Sequence, residues 1–318
     1  MIRKMFACLA VFFILGCNRE AQQTDNRPTV ALILKTLNNP FFIDLQNGAQ
    51  QMADSLGVNL IVQAPEREVD VEKQMQIIEN LIQRNVHAIC VSPSGSKEIV
   101  PAIVKANEAG IPVLAVDTRV DEQALREAGG QTVTFVGSDN YEGGRVAGEF
   151  IASALGGSGK VAILEGIPGH ETGDARLRGF RDVMLAHPQI EVVASQTANW
   201  ERDQGFNVFQ NVLQSNPDVR ALFACNDMMA LGAVEAIAAA GKIGEITVVG
   251  FDAVNDARDA IKQDAMAGSV AQYPFEMGRD AIAAAVRVIN GETIPDYIPV
   301  KIDLITKEKL DVFYTTKE

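Results

Sequence analysis

Polar and aromatic side chains of a particular kind gather where the apolar runs of this sequence end. "VALIL" (30–34) leads into "TLNNPFF" with Asn39, Phe41 and Phe42. "AICVS" (88–92) ends in Ser92, with Ser94 two places on, and "PVLAV" (112–116) runs into Asp117, Thr118 and Arg119. Further along, Arg176 lies shortly after "ILEGIPG", and Trp200, the one tryptophan, follows "ASQTAN". Asn226 and Asp227 follow "LFAC", Asp252 follows "VVGF", and Gln272 ends "SVAQ". Asp, Asn, Arg and Gln carry planar groups that can engage two adjacent hydroxyls at once. Phe and Trp offer flat apolar faces. Together they suit a small polyol ring, polar at its rim and apolar on its C–H faces.

Each residue taken singly has a plainer reading. Asn39 before Pro40 is a good helix N-cap followed by proline at the first helical position. Phe42 lies on an apolar helix face and Phe41 only slightly off it. Asp117 and Asp252 can be turn or cap residues, Arg176 a solvated helix charge, and Trp200 a ring packed under a loop. Only their joint placement at strand ends lifts the reading as a site.

Signals for catalysis are weak. His87, His170 and His187 have no metal-site spacing. His170, in "PGHETGD", falls in a loop near the expected cleft without a positioned nucleophile. "GGSGK" (156–160) resembles a phosphate loop only superficially, because Ala154 stands at its first-glycine position and Val161 follows Lys160 where Ser or Thr is required. No G-x-G-x-x-G follows "VALIL", so a dinucleotide lobe has no support. No cofactor and no metal is expected.

The elements that must position these residues alternate strand and helix from residue 30 onward. "VNLIV" (58–62) and "VTFVG" (133–137) complete a first set of five strands with those named above, and "KVAIL", "EVVAS", "ALFAC", "TVVGF" and "SVAQ" form a second. The strands are continuously apolar, as in parallel sheets covered on both faces. In the helix after "TLNN", Phe42, Leu45, Ala49, Met52 and Leu56 share one face. The chain of 318 residues is long for one core, and it reads as two similar α/β lobes in series. A late helix, "GRDAIAAAVRVINGE" (278–292), and a tail strand, "VKIDLIT", follow. Such a helix could return to the first lobe.

The N-terminus reads as a targeting segment. A basic head, "MIRK", precedes a 12-residue apolar run, too short to span a bilayer and fitting a signal peptide. Ile14-Leu15-Gly16-Cys17 resembles the bacterial lipobox, so residues 1–16 are expected to be removed and Cys17 lipidated. Residues 17–28 then form a polar tether. Of the other cysteines, Cys8 leaves with the signal, while Cys90 and Cys225 fall in different lobes and are expected as buried free thiols. The formal charge is −13, and loss of residues 1–16 leaves 26 basic against 41 acidic residues. No Lys/Arg cluster offers a phosphate-binding surface, so nucleic acid is not an expected partner.

The stretches "TLNNPFF", "NDMMALGA", "VVGFDA" and "VAQYP" are similar to the ribose-binding branch of bacterial periplasmic sugar-binding proteins, the receptors of ABC importers, and the similarity runs from about residue 28 to the end. That resemblance implies a type I periplasmic-binding-protein fold: two Rossmann-like lobes with parallel sheets, three hinge crossings and a sugar in the cleft. Crossings are expected near Ser138–Asp139, Gln272–Pro274 and Tyr297. The first lobe would hold 29–138 and 274–297, the second 139–273 and 298–318. Carried over by position, the ligand residues would be Asn39, Phe41, Phe42, Asp117, Arg176, Trp200, Asn226, Asp252 and Gln272. Two departures bear on the ligand. The family pattern has arginine straight after the aspartate, where this chain has Thr118, and phenylalanine in place of Trp200.

The expected function is a monomeric, lipid-anchored receptor at the cell surface or in the periplasm. It would bind a ribose-like pentose or related sugar and deliver it to the membrane subunits of an ABC permease by closure of its lobes. A sugar sensor docking a signalling receptor and a sugar-processing enzyme are the rival readings.

Overall fold

A computed structural model describes residues 26–310. The signal-peptide, Cys8 and Cys17 expectations and the final eight residues lie outside that range.

The first sheet contains β1 (Thr29–Ile33), β2 (Asn59–Gln63), β3 (Ala88–Val91), β4 (Val113–Val116), β5 (Phe135–Ser138) and β11 (Tyr297–Val300), in the order β11-β5-β4-β3-β1-β2. All its pairings are parallel. The second contains β6 (Gly159–Glu165), β7 (Ile190–Thr197), β8 (Ala221–Ala224), β9 (Thr247–Asp252), β10 (Gly268–Ala271) and β12 (Asp303–Ile305), in the order β12-β10-β9-β8-β6-β7. Only β12 is antiparallel there. Leaving aside the last strand of each, the two sheets have the same order. Each therefore reverses at the strand it begins with, β1 or β6, and the crevice beyond such a reversal is where α/β sheets bind ligands. β1, β3, β4 and β8 are buried along nearly their whole length, which explains their unbroken apolar sequence.

The chain passes between sheets three times: after β5, after β10, and between β11 and β12. The last passage corrects two expectations. Ile298–Val300 belong to the first sheet, not the second lobe, and the single tail strand is two short strands in different sheets. Tyr297 stacks on Phe135 with centroids 5.7 Å apart and draws β11 onto β5. Pro299 is tolerated because β11 is an edge strand, where a missing N–H breaks no inner ladder.

Helix α1 (Pro40–Leu56) starts as its sequence dictates: Asn39 caps it by accepting from the Phe41 N–H at 3.0 Å, and Gly57 ends it in the left-handed region at φ 66°. Helix α10 (Pro274–Ile289) returns to the first lobe and lies along α1. The two meet backbone to backbone. A Cβ on Gly48 would collide with the Phe275 carbonyl oxygen, and one on Gly278 with that of Leu45. The same reciprocal glycine contact joins α5 (Asn140–Ala154) to α6 (Glu171–Leu185) through Gly144 and Gly179, and α7 (Arg202–Ser215) to α8 (Asp227–Ala239) through Gly205 and Gly232. Site residues sit at the N-terminal ends of all three pairs. Since backbone cannot swing aside as a side chain can, Gly48→Ala is expected to lower stability by about 2 kcal/mol or more. Denaturant unfolding measures it, and an unchanged midpoint would contradict this packing.

Candidate functional site

Between the lobes lies a small cavity, lined by Lys35, Asn39, Phe41, Phe42, Glu68 and Asp117 from the first lobe and by Thr172, Arg176, Trp200, Asn226, Asp252 and Gln272 from the second. All nine residues carried over as ligand residues from the family resemblance line this one cavity.

The first-lobe wall is built on the ends of β1 and β4 and the first turn of α1. Asn39 does two things at once. Its side-chain carbonyl caps α1, and the same side chain lines the cavity beside the buried Glu68. Phe41 and Phe42 meet edge to face at 5.2 Å, nearly fully buried, and so serve both the core and the cavity wall. Asp117 adopts the left-handed backbone region at φ 63°. Its Oδ2 takes the Ser92 hydroxyl at 3.0 Å, the Thr118 hydroxyl at 3.0 Å and the Lys35 ammonium at 3.2 Å. Among the described residues nothing donates to Oδ1.

The second-lobe wall centres on Arg176. Its Nε donates to Asn140 Oδ1 at 2.9 Å, and Nη1 donates to the Cys225 carbonyl at 2.6 Å and lies 3.8 Å from Asp252 Oδ1. The guanidinium sits 3.7 Å from the Phe251 ring centroid. These contacts fix the fork and leave Nη2 without a hydrogen-bond partner among the described residues. Gln272 donates to Asp252 Oδ1 at 2.7 Å, while its own Oε1 is buried and unpartnered. Asn226 caps α8 through Met229 N and donates to the Trp200 carbonyl at 3.1 Å. Trp200, itself left-handed at φ 67°, lays its indole in a slot that a Cβ on Gly166 or Gly173 would fill. The wall thus presents unused polar atoms beside flat rings.

Three carboxyls and two cations surround this space. Burial pushes Glu68 up to about 7, with Lys35 pulling it back. Burial likewise raises Asp252 to about 7 against the opposing pull of Arg176. For Glu68 the proton therefore favours the folded protein. Its contribution to stability is complete below its ordinary value of 4.5 and is lost as pH rises toward 7. Glu68→Gln is accordingly expected to raise the melting midpoint at pH 7.5, by at most about 3 kcal/mol in stability, and to match the wild type near pH 4.5. A variant no more stable than wild type at pH 7.5 would contradict this.

Several polar residues at strand ends stand aside from the cavity. Asp227 is fully buried, accepting from Ser269 Oγ at 2.7 Å and Val254 N at 2.9 Å, and burial followed by the nearby Asp252 raises its carboxyl well above the usual range. Ser92 serves Asp117. Arg119 stacks on Phe135 and Tyr297, 4.0 and 4.8 Å from their centroids, and does not replace the arginine that Thr118 displaces. The first-lobe cation is Lys35 instead. Lys35, Glu68 and Thr172 were not singled out in the sequence. Cys90 and Cys225 are buried free thiols. Among the described residues no group of His, Cys, Asp or Glu could hold a metal, and no helix is long and apolar enough to cross a membrane.

The profile of a family described as a periplasmic binding protein domain matches residues 30–293. The ribose import binding protein RbsB of Salmonella typhimurium is 39% identical over 282 residues, covering 89% of this chain and 92% of that protein. The D-allose-binding periplasmic protein of Escherichia coli is 36% identical over 284 residues, covering 87% and 91%. Among solved structures, an ABC transporter periplasmic solute binding protein from Actinobacillus succinogenes with bound D-allose superposes with a TM-score of 0.86 at 40% identity, covering 90% of this chain and 100% of that one.

Proposed function

The chain belongs to the periplasmic binding protein family, and from that membership we propose that it is the receptor of an ABC importer, taking a monosaccharide into the interlobe cavity. The observation that carries this reading is the set of unused polar atoms converging from both lobes on one small space. They are Asp117 Oδ1 on one side and Arg176 Nη2, Asp252 Oδ2 and Gln272 Oε1 on the other. A hydroxyl both donates and accepts, so a ring of adjacent hydroxyls satisfies carboxylates and guanidinium together. Phe41, Phe42 and Trp200 supply the flat apolar surface for the ring's C–H faces.

D-Ribose and D-allose are the first candidates, following the relatives. In pyranose form D-allose is D-ribose with one added hydroxymethyl group, and Lys35 and Glu68 give this cavity extra polar groups to meet it. Because the two walls belong to different lobes, a bound sugar gains its full contacts only when they approach, and that difference drives closure. The permease then reads the closed shape. Cys17 carries the lipid that holds the receptor, as a monomer, near its permease at the membrane surface.

A thermal-shift screen of pentoses, hexoses and polyols tests the reading. A sugar at 100 times its dissociation constant adds about 2.7 kcal/mol of stability. No shift with any of them would overturn the assignment, and conversion of a sugar during incubation would favour the enzyme reading.

A further inference from the structure

Resting on the sugar-receptor reading, we propose that His170 is a positioning residue that locks the Trp200 ring to the first lobe, so that the aromatic wall and the closed cleft form and dissolve together. Three consecutive residues at the start of α6 each touch a different part of the opposite lobe. The His170 imidazole faces the backbone of Ser94, the Glu171 N–H donates to Ser96 Oγ at 3.1 Å, and the Thr172 hydroxyl meets that of Thr118 at 2.7 Å. His170 alone of the three also holds a ring of the cavity wall, because its Nδ1 accepts from the Trp200 indole N–H at 3.2 Å. An indole nitrogen only donates, so Nδ1 is bare and the imidazole is the neutral tautomer with its proton on Nε2. The ring is 3% exposed. It does not line the cavity, so it works through Trp200 and Ser94 rather than on the sugar.

Protonation is incompatible with this arrangement, since a protonated Nδ1 would point a second donor at the indole N–H. Burial, followed by the Lys35 charge, lowers His170 from 6.5 to about 3, with Ser94 and Asp117 opposing. The charged groups facing it are Lys35 and Asp117 of the first lobe, with Glu171 and Asp174 on its own helix. An open cleft returns the ring to water and to its ordinary value. The closed state is therefore fully favoured above about pH 6.5 and loses up to about tenfold in relative population for each pH unit below it.

Trp200 is the sole tryptophan, so its emission reports on this contact directly. Stopped-flow fluorescence with D-allose and D-ribose, on the full-length chain, measures affinity and release rate between pH 5 and 8. His170→Ala is expected to release the bound probe up to about tenfold faster at pH 7.5, for the lost indole hydrogen bond and the lost contact with the first lobe. His170→Gln can accept from the indole and donate to Ser94 but does not titrate. It should restore the wild-type rate at pH 7.5 and lack the His170 share of the acid-side weakening. Wild-type release rates in His170→Ala would overturn the proposal. If that variant does not fold, an acid profile of His170→Gln identical to wild type would overturn it instead. Failure of the wild-type protein to bind either probe, or any sugar of the panel, would count against the receptor reading rather than against the role of His170.

Discussion

Replacing Arg176 by methionine is expected to weaken sugar binding by roughly a hundredfold or more and to weaken the fold as well. The guanidinium is buried, and it answers three groups that have no other donor of its kind: Asn140 Oδ1, the Cys225 carbonyl and the Asp252 carboxylate. Methionine fills most of the volume but leaves Asn140 Oδ1 and the Cys225 carbonyl facing apolar surface and Asp252 with Gln272 as its remaining donor. Removing one partner of a buried charge pair costs about 3–5 kcal/mol of stability. The ligand loses a charged donor from the same atom set, and truncation of a buried, hydrogen-bonded charge costs about 2–5 kcal/mol of affinity, roughly a hundredfold or more. Calorimetric titration with D-allose and D-ribose reads the second effect and denaturant unfolding the first. Arg176→Lys separates them, because it keeps the charge but lacks the planar fork. It should fold nearly as well as wild type and still bind weakly. Affinity of Arg176→Met within a factor of about three of wild type would remove Arg176 from the site.

Trp200→Ala is the second large effect. The indole is 5% exposed and sits against Gly166 and Gly173, so no neighbouring side chain can fill the space it leaves. Loss of a buried large aromatic costs about 3–5 kcal/mol of stability, and the left-handed backbone at this position adds nothing back. Affinity should fall by about a hundredfold, the scale of a central aromatic contact. Trp200→Phe keeps a flat face, restores the residue found in the ribose-binding pattern, and loses the bond to His170. It should bind within about tenfold of wild type. Equal affinities for wild type and Trp200→Ala would mean that the ring is core and not wall.

Much of this arrangement was legible in the sequence because parallel α/β lobes bring strand ends together by construction. Asp117, Asn226 and Asp252 could be placed from the apolar runs that precede them, and the family resemblance narrowed the choice among neighbours. What escaped notice had no local mark. Lys35 follows a strand like many solvated lysines, and its burial against Asp117 is a property of two strands 80 residues apart. Glu68 stands in a charged loop and is buried only because the connection after β2 folds over the cavity. His170 had no visible partner, since its partner lies 30 residues on. The tail misled for another reason. "VKIDLIT" is strand-like throughout, and nothing in its composition marks the point where the chain leaves one sheet for the other. Asn39 dissolved a choice that the sequence posed, because it both caps the helix and lines the cavity.

The central claim is that a single monosaccharide occupies the space between the lobes, unaltered. Isothermal titration of the purified protein with D-allose and D-ribose, followed by recovery of the sugar, tests it most directly. The account predicts one site per chain, a dissociation constant well below millimolar for at least one of the two, and complete recovery of unchanged sugar. Absence of binding heat with both, or recovery of a chemically altered sugar, would contradict it.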